Sequence, residues 1–419
     1  MKQLFVFFLF LLTISLNAQI TAQWRGTERD GIYPANNLLE EWPETGPALL
    51  WHAEGIGKGF SSAVSDGKYV FVTGMKDSSD VMTCLSMDGK IRWQKPFGRA
   101  WKGPFPETRT TPTVDGNRVY AISGFGTIAC LETETGNILW SVDGLSSFEG
   151  VHGTWGVCES PLIHGDHLIY TPAGPKTTMV ALDKITGKLA WESETINDTS
   201  AYVSPRVIRQ GGREIIVTLA ERYFFGVDAT NGKILWKYDY ASLKPEKGLA
   251  IWPGAPRTNT ITPQFGDGML YITGGYDHVG SMFRLSSKGD SVTQVWIDST
   301  LDCHHGGVVK VGNYIYGSNW IDNSRGNWCC LEWTTGKKMF EQKWFTKGAI
   351  IAAGNMLYCF DEKEGNLGLV HASPGKFDLV SSFKVPLGKG QFWAHPFIQG
   401  GNLLIRHGDV VMAYDISKK

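Results

Sequence analysis

Apolar and polar residues alternate in short runs along most of the chain, and the runs come in groups of four. Thr110-Thr111-Pro112-Thr113-Val114 is followed by Asp115-Gly116-Asn117 and then by Arg118-Val119-Tyr120-Ala121-Ile122. A period of two marks each run as a strand, and Asp-Gly between them supplies a tight hairpin. Gly124-Phe125-Gly126 makes the next loop, 127–132 a third strand and 138–142 a fourth. Thr135-Gly136-Asn137 turns between the last two, with glycine where a positive φ is needed.

This four-strand unit repeats. Ala181-Leu182-Asp183-Lys184-Ile185-Thr186-Gly187-Lys188-Leu189-Ala190-Trp191 matches Cys130 to Trp140 and Gly226 to Trp236, with weaker copies over 84–93, 284–296, 330–340, 369–380 and 413–419. Self-similarity at roughly 40 to 60 residues indicates a stacked or radial architecture and overrides a domain count from length. Four antiparallel strands per repeat make the blade of a β-propeller. The fourth-strand aromatics are Trp51, Trp93, Trp140, Trp191, Trp236, Trp296 and Phe340, and a seventh unit ends near Val380. The last unit, 394–415, has three strands, whereas Leu49-Leu50-Trp51 is a fourth strand with none before it. The prediction is an all-β, eight-bladed β-propeller whose last blade is closed by the N-terminal strand, leaving no open edge. Residues 19–48 are expected to run as an extended lead-in along one face. The blade tryptophans are read as packing wedges between sheets, each indole N–H seeking a backbone acceptor.

Composition agrees. The 419 residues carry 50 glycines and 16 tryptophans, which suits a chain of tight turns and aromatic wedges. A net charge of −1 with 19% charged residues gives no footprint for nucleic acid. Lys2 followed by the apolar run Leu4 to Leu12 and a more polar 15–18 reads as an export signal over 1–18, with cleavage after Ala18 or Ala22. No later segment is long and apolar enough to span a membrane. The remainder, 19–419, is read as one soluble, monomeric propeller domain in the periplasm or outside the cell. Of seven cysteines, Cys84, Cys130 and Cys330 stand directly before the repeat leucine, where other copies have alanine; these are read as small buried packing residues.

The pattern Ala-x-Asp-x-x-x-Gly-Lys-x-x-Trp resembles the tryptophan-docking motif of the eight-bladed quinoprotein alcohol dehydrogenases. A similar repeat builds the non-enzymatic propeller lipoprotein of the outer-membrane β-barrel assembly machinery. Closer still is a group of exported bacterial propellers of the pyrroloquinoline-quinone-like (PQQ-like) type. That likeness is carried by Gln23-Trp24-Arg25-Gly26, Arg29-Asp30-Gly31, Trp155-Gly156-Val157-Cys158-Glu159-Ser160-Pro161, His304-His305-Gly306-Gly307-Val308 and Trp393-Ala394-His395-Pro396. The resemblance covers essentially the whole chain after the leader. It implies the fold and leaves function open, because one fold hosts many activities.

In a propeller the loop entering each innermost strand lies at the mouth of the central funnel. Aligning the repeats puts Lys58, Arg109, Trp155, Glu159, Tyr202, Arg257, Asn259, His304, His305, Lys347, Trp393 and His395 there. Converging Arg, His and aromatic groups are a ligand-site signature. Adjacent strand residues point to opposite sides, so one of His304 and His305 is expected to face the funnel. With His395 it could bind a metal or shuttle a proton, or simply hydrogen-bond a neighbouring blade. Arg109 and Arg257 could clamp a carboxylate or phosphate, or pair with Glu159. His305, His395 and Arg109 are the catalytic candidates if the protein is an enzyme. Cys303, beside His304, is a candidate thiol or ligand. Cys329-Cys330 is similar to the adjacent-cysteine disulfide of some quinoprotein dehydrogenases, but Cys330 already has a packing role and such a bond would distort the backbone.

The resemblance brings pyrroloquinoline quinone with calcium as a possible cofactor. That pair needs a stacking floor, oxygen ligands and a carboxylate base. Trp155 or Trp393 could stack, and Glu159 and Asn259 could ligate. No aspartate aligns with the mouth, although Asp277 and Asp322 lie on nearby loops, and the long insertions of those dehydrogenases are missing. The leading expectation is therefore a module that binds a small molecule, glycan or protein on the funnel face. The alternatives are a quinone- and calcium-dependent dehydrogenase of alcohols or sugars, and a carbohydrate-active lyase or hydrolase.

Overall fold

The computed structural model describes residues 21–34, 36–243 and 258–418. The apolar leader over 1–18 and Arg257 fall outside them. Eight sheets form the ring. In the second blade the strands are Thr113–Asp115, Arg118–Ile122, Thr127–Glu132 and Ile138–Asp143, the pattern expected from alternation. The innermost strands of the eight blades begin, in order, at Val64, Thr113, Leu162, Arg206, Gln264, Val308, Gly348 and Phe397. The eighth blade joins Ala48–Ala53 to Val410–Asp415, Asn402–His407 and Phe397–Gln399, so the N-terminal strand closes the ring as predicted. The only described helical elements are Gly144–Phe148 and the single turn Tyr240–Ser242. No described helix is long and apolar enough to cross a membrane.

Middle strands are buried on both faces because each is covered by two neighbouring sheets. The core between blades is accordingly built of Val, Ile, Leu and aromatic side chains. Cys84, Cys130 and Cys330 are fully buried at the small-residue position. Trp51, Trp93, Trp140, Trp191 and Trp296 pack across the blade boundary onto a glycine of the next turn, whereas Trp236 lies on Gly226 of its own blade. Trp93 Nε1 donates to Thr133 O at 3.0 Å, Trp140 Nε1 to Lys184 O at 3.1 Å and Trp296 Nε1 to Thr334 O at 3.1 Å. Trp191 docks without such a bond, and the Trp236 N–H is also without a partner. The wedge position is thus held by packing first, with the hydrogen bond added where the next turn offers a carbonyl.

Gly136 shows how tight this docking is. Its φ is 70°, and a Cβ there would sit 2.5 Å from Trp93 Cε3. Gly136→Ala is expected to cost about 1–3 kcal/mol through positive φ and overpacking together. A denaturant midpoint indistinguishable from the parent would refute the docking argument.

The lead-in departs from expectation. It does not run along one face; residues 21–33 cross the central channel. Ala22 pairs with Val114 of the second blade, and Ile32–Tyr33 adds a parallel strand inside Gly348–Ala353 of the seventh. Between these anchors two buried arginines reach the inner-strand carbonyls on both sides. Arg29 donates to Ser160 O (3.1 Å), Pro205 O (3.0 Å), Pro161 O and Gln23 Oε1 (2.9 Å). Arg25 donates to Val308 O (2.6 Å), Ile350 O (3.2 Å) and Asp30 O (3.3 Å). Propeller inner strands leave carbonyls at the axis without a ladder partner, and a guanidinium fork satisfies several at once. The segment is therefore a plug. Only residues 38–48 run peripherally, with Trp42 packed on Tyr358 and Phe383.

Candidate functional site

Above the plug the channel opens into a cavity of about 390 Å³. Trp24 of the plug lies beneath it, against His395 at 4.7 Å between ring centroids. Gln23, Glu28 and Arg29 line a separate recess of about 320 Å³ against the inner strands of blades three and four, so the plug divides the channel.

The cavity wall is aromatic. Trp393 meets Phe60 at 4.7 Å, Phe105 at 5.4 Å and His305 at 5.2 Å. Trp155 and Tyr202, 5.5 Å apart, form another part, with the Trp155 N–H bonded to the Tyr202 hydroxyl at 3.2 Å. Tyr276 packs on His304 at 4.6 Å. Both adjacent histidines line the cavity, their rings 4.5 Å apart. Strand alternation predicted one. The pair sits instead in the irregular loop before Val308–Val311, where no pleat imposes opposite directions.

The polar chemistry centres on His305. Its Nε2 lies 3.2 Å from Glu362 Oε2, and Lys347 Nζ lies 2.6 Å from Glu362 Oε1. Lys347 also donates to Asp322 O at 3.0 Å. Burial lowers the His305 pKa, and Glu362 opposes that effect. Burial, then the neighbouring His305, holds His304 well below the usual imidazole range. His395 is lowered by burial and by Arg25. An arginine N–H can only donate, so the 3.1 Å contact from Arg25 makes His395 Nδ1 the acceptor. Its Nε2 then carries the proton and donates to His305 O at 2.9 Å. Both nitrogens of His395 are committed to the scaffold, which leaves His304 and His305 as the imidazoles facing a ligand.

The other sequence candidates divide. Arg109, Trp155, Tyr202, His304, His305, Trp393 and His395 converge on the cavity. Arg109 is not paired with Glu159: its guanidinium donates to Trp155 O at 2.8 Å, Pro104 O at 3.3 Å and Phe105 O, pinning two loops. Glu159 is buried behind the wall, accepts from the Thr171 N–H at 3.2 Å, and is pushed up to about 8 by burial. Asn259 donates to Ala220 O and Glu221 O, at 2.8 and 3.0 Å. Lys58 is exposed and pairs through its backbone with Met75. Cys303 is buried, donates to Gly307 O, and burial pushes its thiol up to about 12, so it is no reactive thiol at neutral pH. Cys329 and Cys330 are both free and buried.

Glu362, Tyr276, Phe60 and Phe105 also line the site and were not anticipated. Glu362 comes from the loop after the second strand of its blade, outside the repeat position searched. The flanking run Asp361-Glu362-Lys363-Glu364 reads as solvated charge.

A calcium–quinone pair does not fit these residues. Glu159 and Asn259 are spent elsewhere. Asp322 pairs with the exposed Arg325 at 2.6 Å, and neither it nor Asp277 lines the cavity. Glu362 is the one carboxylate among the described lining residues, and it is already held by Lys347 and His305. A polycarboxylate quinone would meet that carboxylate without an oxygen-rich cation site between them.

Comparison with known proteins places this geometry in context. A family model described as outer membrane protein assembly factor BamB matches residues 41–143 and 98–342. No curated protein sequence matches significantly. Among solved structures, BamB from Moraxella catarrhalis superposes with a TM-score of 0.62 at 15% identity, covering 88% of this chain and 99% of that one. Quinohemoprotein alcohol dehydrogenase ADHIIG from Pseudomonas putida HK5 gives 0.52 at 10% identity, covering 96% and 80%. The computationally designed Ika8 protein gives 0.51 at 12% identity, covering 91% and 100%. At such identities the likeness is one of fold.

Proposed function

From the premise that the chain belongs to the PQQ-repeat β-propeller family, we propose that it is an exported binding module that takes a small molecule into its central funnel. The observation that carries this reading is the cavity of about 390 Å³, walled by aromatic rings and divided from the rest of the channel by the plug. Its size suits a small organic ligand, and a few fixed polar groups among apolar walls are what such sites use for orientation. The apolar run Leu4 to Leu12 after Lys2, read as an export signal, and a family model named for outer-membrane assembly support a place in the cell envelope.

The test is tryptophan fluorescence with a small-molecule panel, including pyrroloquinoline quinone with and without calcium. Saturable quenching by a panel member is expected, and Trp393→Ala should weaken it at least tenfold, the effect of losing a central aromatic anchor. Calcium-dependent quinone binding with dye-linked alcohol oxidation would replace this reading with the dehydrogenase.

A second reading rests on the rim. Leu50 (51% exposed), Leu139 (44%) and Leu189 (48%) project from the outer strands of blades eight, two and three. A run of exposed aliphatics fits a protein contact, and the family model's description as an assembly factor favours it. Leu50→Asp with Leu139→Asp should abolish partner capture and leave funnel binding intact.

A further inference from the structure

The cavity holds a feature that wall aromatics do not explain. Ser62 N–H donates to Thr111 Oγ1 at 2.9 Å, Thr111 N–H to Ser160 Oγ at 2.9 Å, and Ser160 N–H to Ser204 Oγ at 3.0 Å. Each hydroxyl thereby accepts a backbone N–H from the preceding blade and is fixed in place. Thr111, Ser160 and Ser204 are 3%, 1% and 4% exposed, and all three line the cavity. Among the described residues no protein acceptor takes their hydroxyl protons. Buried donors seek acceptors, so three fixed O–H groups on adjacent blades are set to meet a ligand's oxygens.

Across the cavity stands His305. Its Nε2 faces Glu362, so Nδ1 is the ring nitrogen left for a ligand hydroxyl. The charged groups here are held by the protein itself. Glu362 is answered by Lys347, Arg109 is spent on backbone carbonyls, and burial keeps the histidines neutral. Arg109 keeps its positive charge with its N–H groups on those carbonyls, so the fixed donors left to a ligand are the uncharged hydroxyls.

We propose that the funnel binds a neutral, polyoxygenated ring of the saccharide class, its acceptor edge read by Thr111, Ser160 and Ser204 and a hydroxyl held by His305. This rests on the funnel-binding reading above. A saccharide ring has apolar C–H faces for Trp393 and Tyr276 and a polar edge for the hydroxyl arc, which matches both kinds of wall.

The experiment is isothermal titration calorimetry of the full protein after the leader. The probes are cellobiose, maltose, mannobiose and N,N′-diacetylchitobiose, with digalacturonate as the anionic comparison at equal salt. At least one neutral disaccharide should bind. Ser160→Ala and Ser204→Ala should each weaken it roughly five- to tenfold, as expected for one buried hydrogen bond. Ser160→Thr, which keeps the hydroxyl, should restore most of the affinity. Thermal midpoints of the variants separate lost recognition from lost folding. The proposal is overturned if digalacturonate binds more tightly than every neutral sugar, if no disaccharide binds, or if binding ignores both serine variants. Under any of these, another ligand still lost with Trp393→Ala leaves the funnel-binding reading standing. Insensitivity of every ligand to Trp393→Ala removes that reading too.

Discussion

Arg29→Ala is expected to remove about 3–5 kcal/mol of folding stability. Arg29 is 2% exposed and supplies four hydrogen bonds to acceptors in the plug and in blades three and four. Deleting it takes the side-chain donor from Ser160 O and Pro205 O, leaves Pro161 O to Thr113 alone, and opens a void beside the lower recess. Lysine should not rescue it, because a single ammonium cannot reproduce a planar fork spread over several carbonyls. Equilibrium denaturation of wild type, Arg29→Ala and Arg29→Lys makes the comparison. A midpoint unchanged in the alanine variant would mean the plug contributes nothing to holding the ring.

The second large effect is pH-dependent. Burial raises Glu159 from 4.5 to about 8, with Arg29 nearby opposing the rise. Below 4.5 the group is protonated in both folded and unfolded chains and has no effect. Between 4.5 and 8 the unfolded chain has released its proton while the folded chain keeps it. Folding then binds a proton, and stability falls as pH rises through that window. The loss levels off above 8, at a total on the order of 3–5 kcal/mol. Asp80, raised by burial to about 6, adds a smaller fall of the same sign that ends earlier. Glu159→Gln keeps an acceptor for the Thr171 N–H and has no proton to exchange. The difference between the wild-type and variant unfolding free energies should therefore grow from pH 4.5 to 8. Parallel curves across that range would show that Glu159 titrates like an exposed carboxylate.

What the sequence disclosed and what it hid follow from range. The strand–turn–strand units, the glycine turns and the closing strand at Leu49 to Trp51 are local signals or repeats of them, so the ring could be counted before it was seen. The repeat position also pointed to His304, His305 and Trp393, which line one cavity because every blade delivers that loop to the same place. Glu362 escaped because it reaches the funnel from a different loop. The use of Glu159 and Asn259 on backbone groups behind the wall depends on which way each side chain turns. The plug escaped because Arg25 and Arg29 lie in a segment without alternation, and their partners are carbonyls, which carry no mark in the sequence.

The shared eighth blade has a consequence for the export proposed above. Trp51 pairs with Ala413, nearly the full length of the sequence away. On that route the first strand to emerge on the far side of a membrane would wait, unpaired, until the last had followed it. Blades can form one by one behind it, but the circle cannot lock early. The entropy of closing so long a loop grows only with the logarithm of its length, so the delay adds little to the final free energy. It bears instead on timing: such distant pairings form late and slowly. An exported chain of this design would stay open-ended and threadable for as long as any of it remained inside.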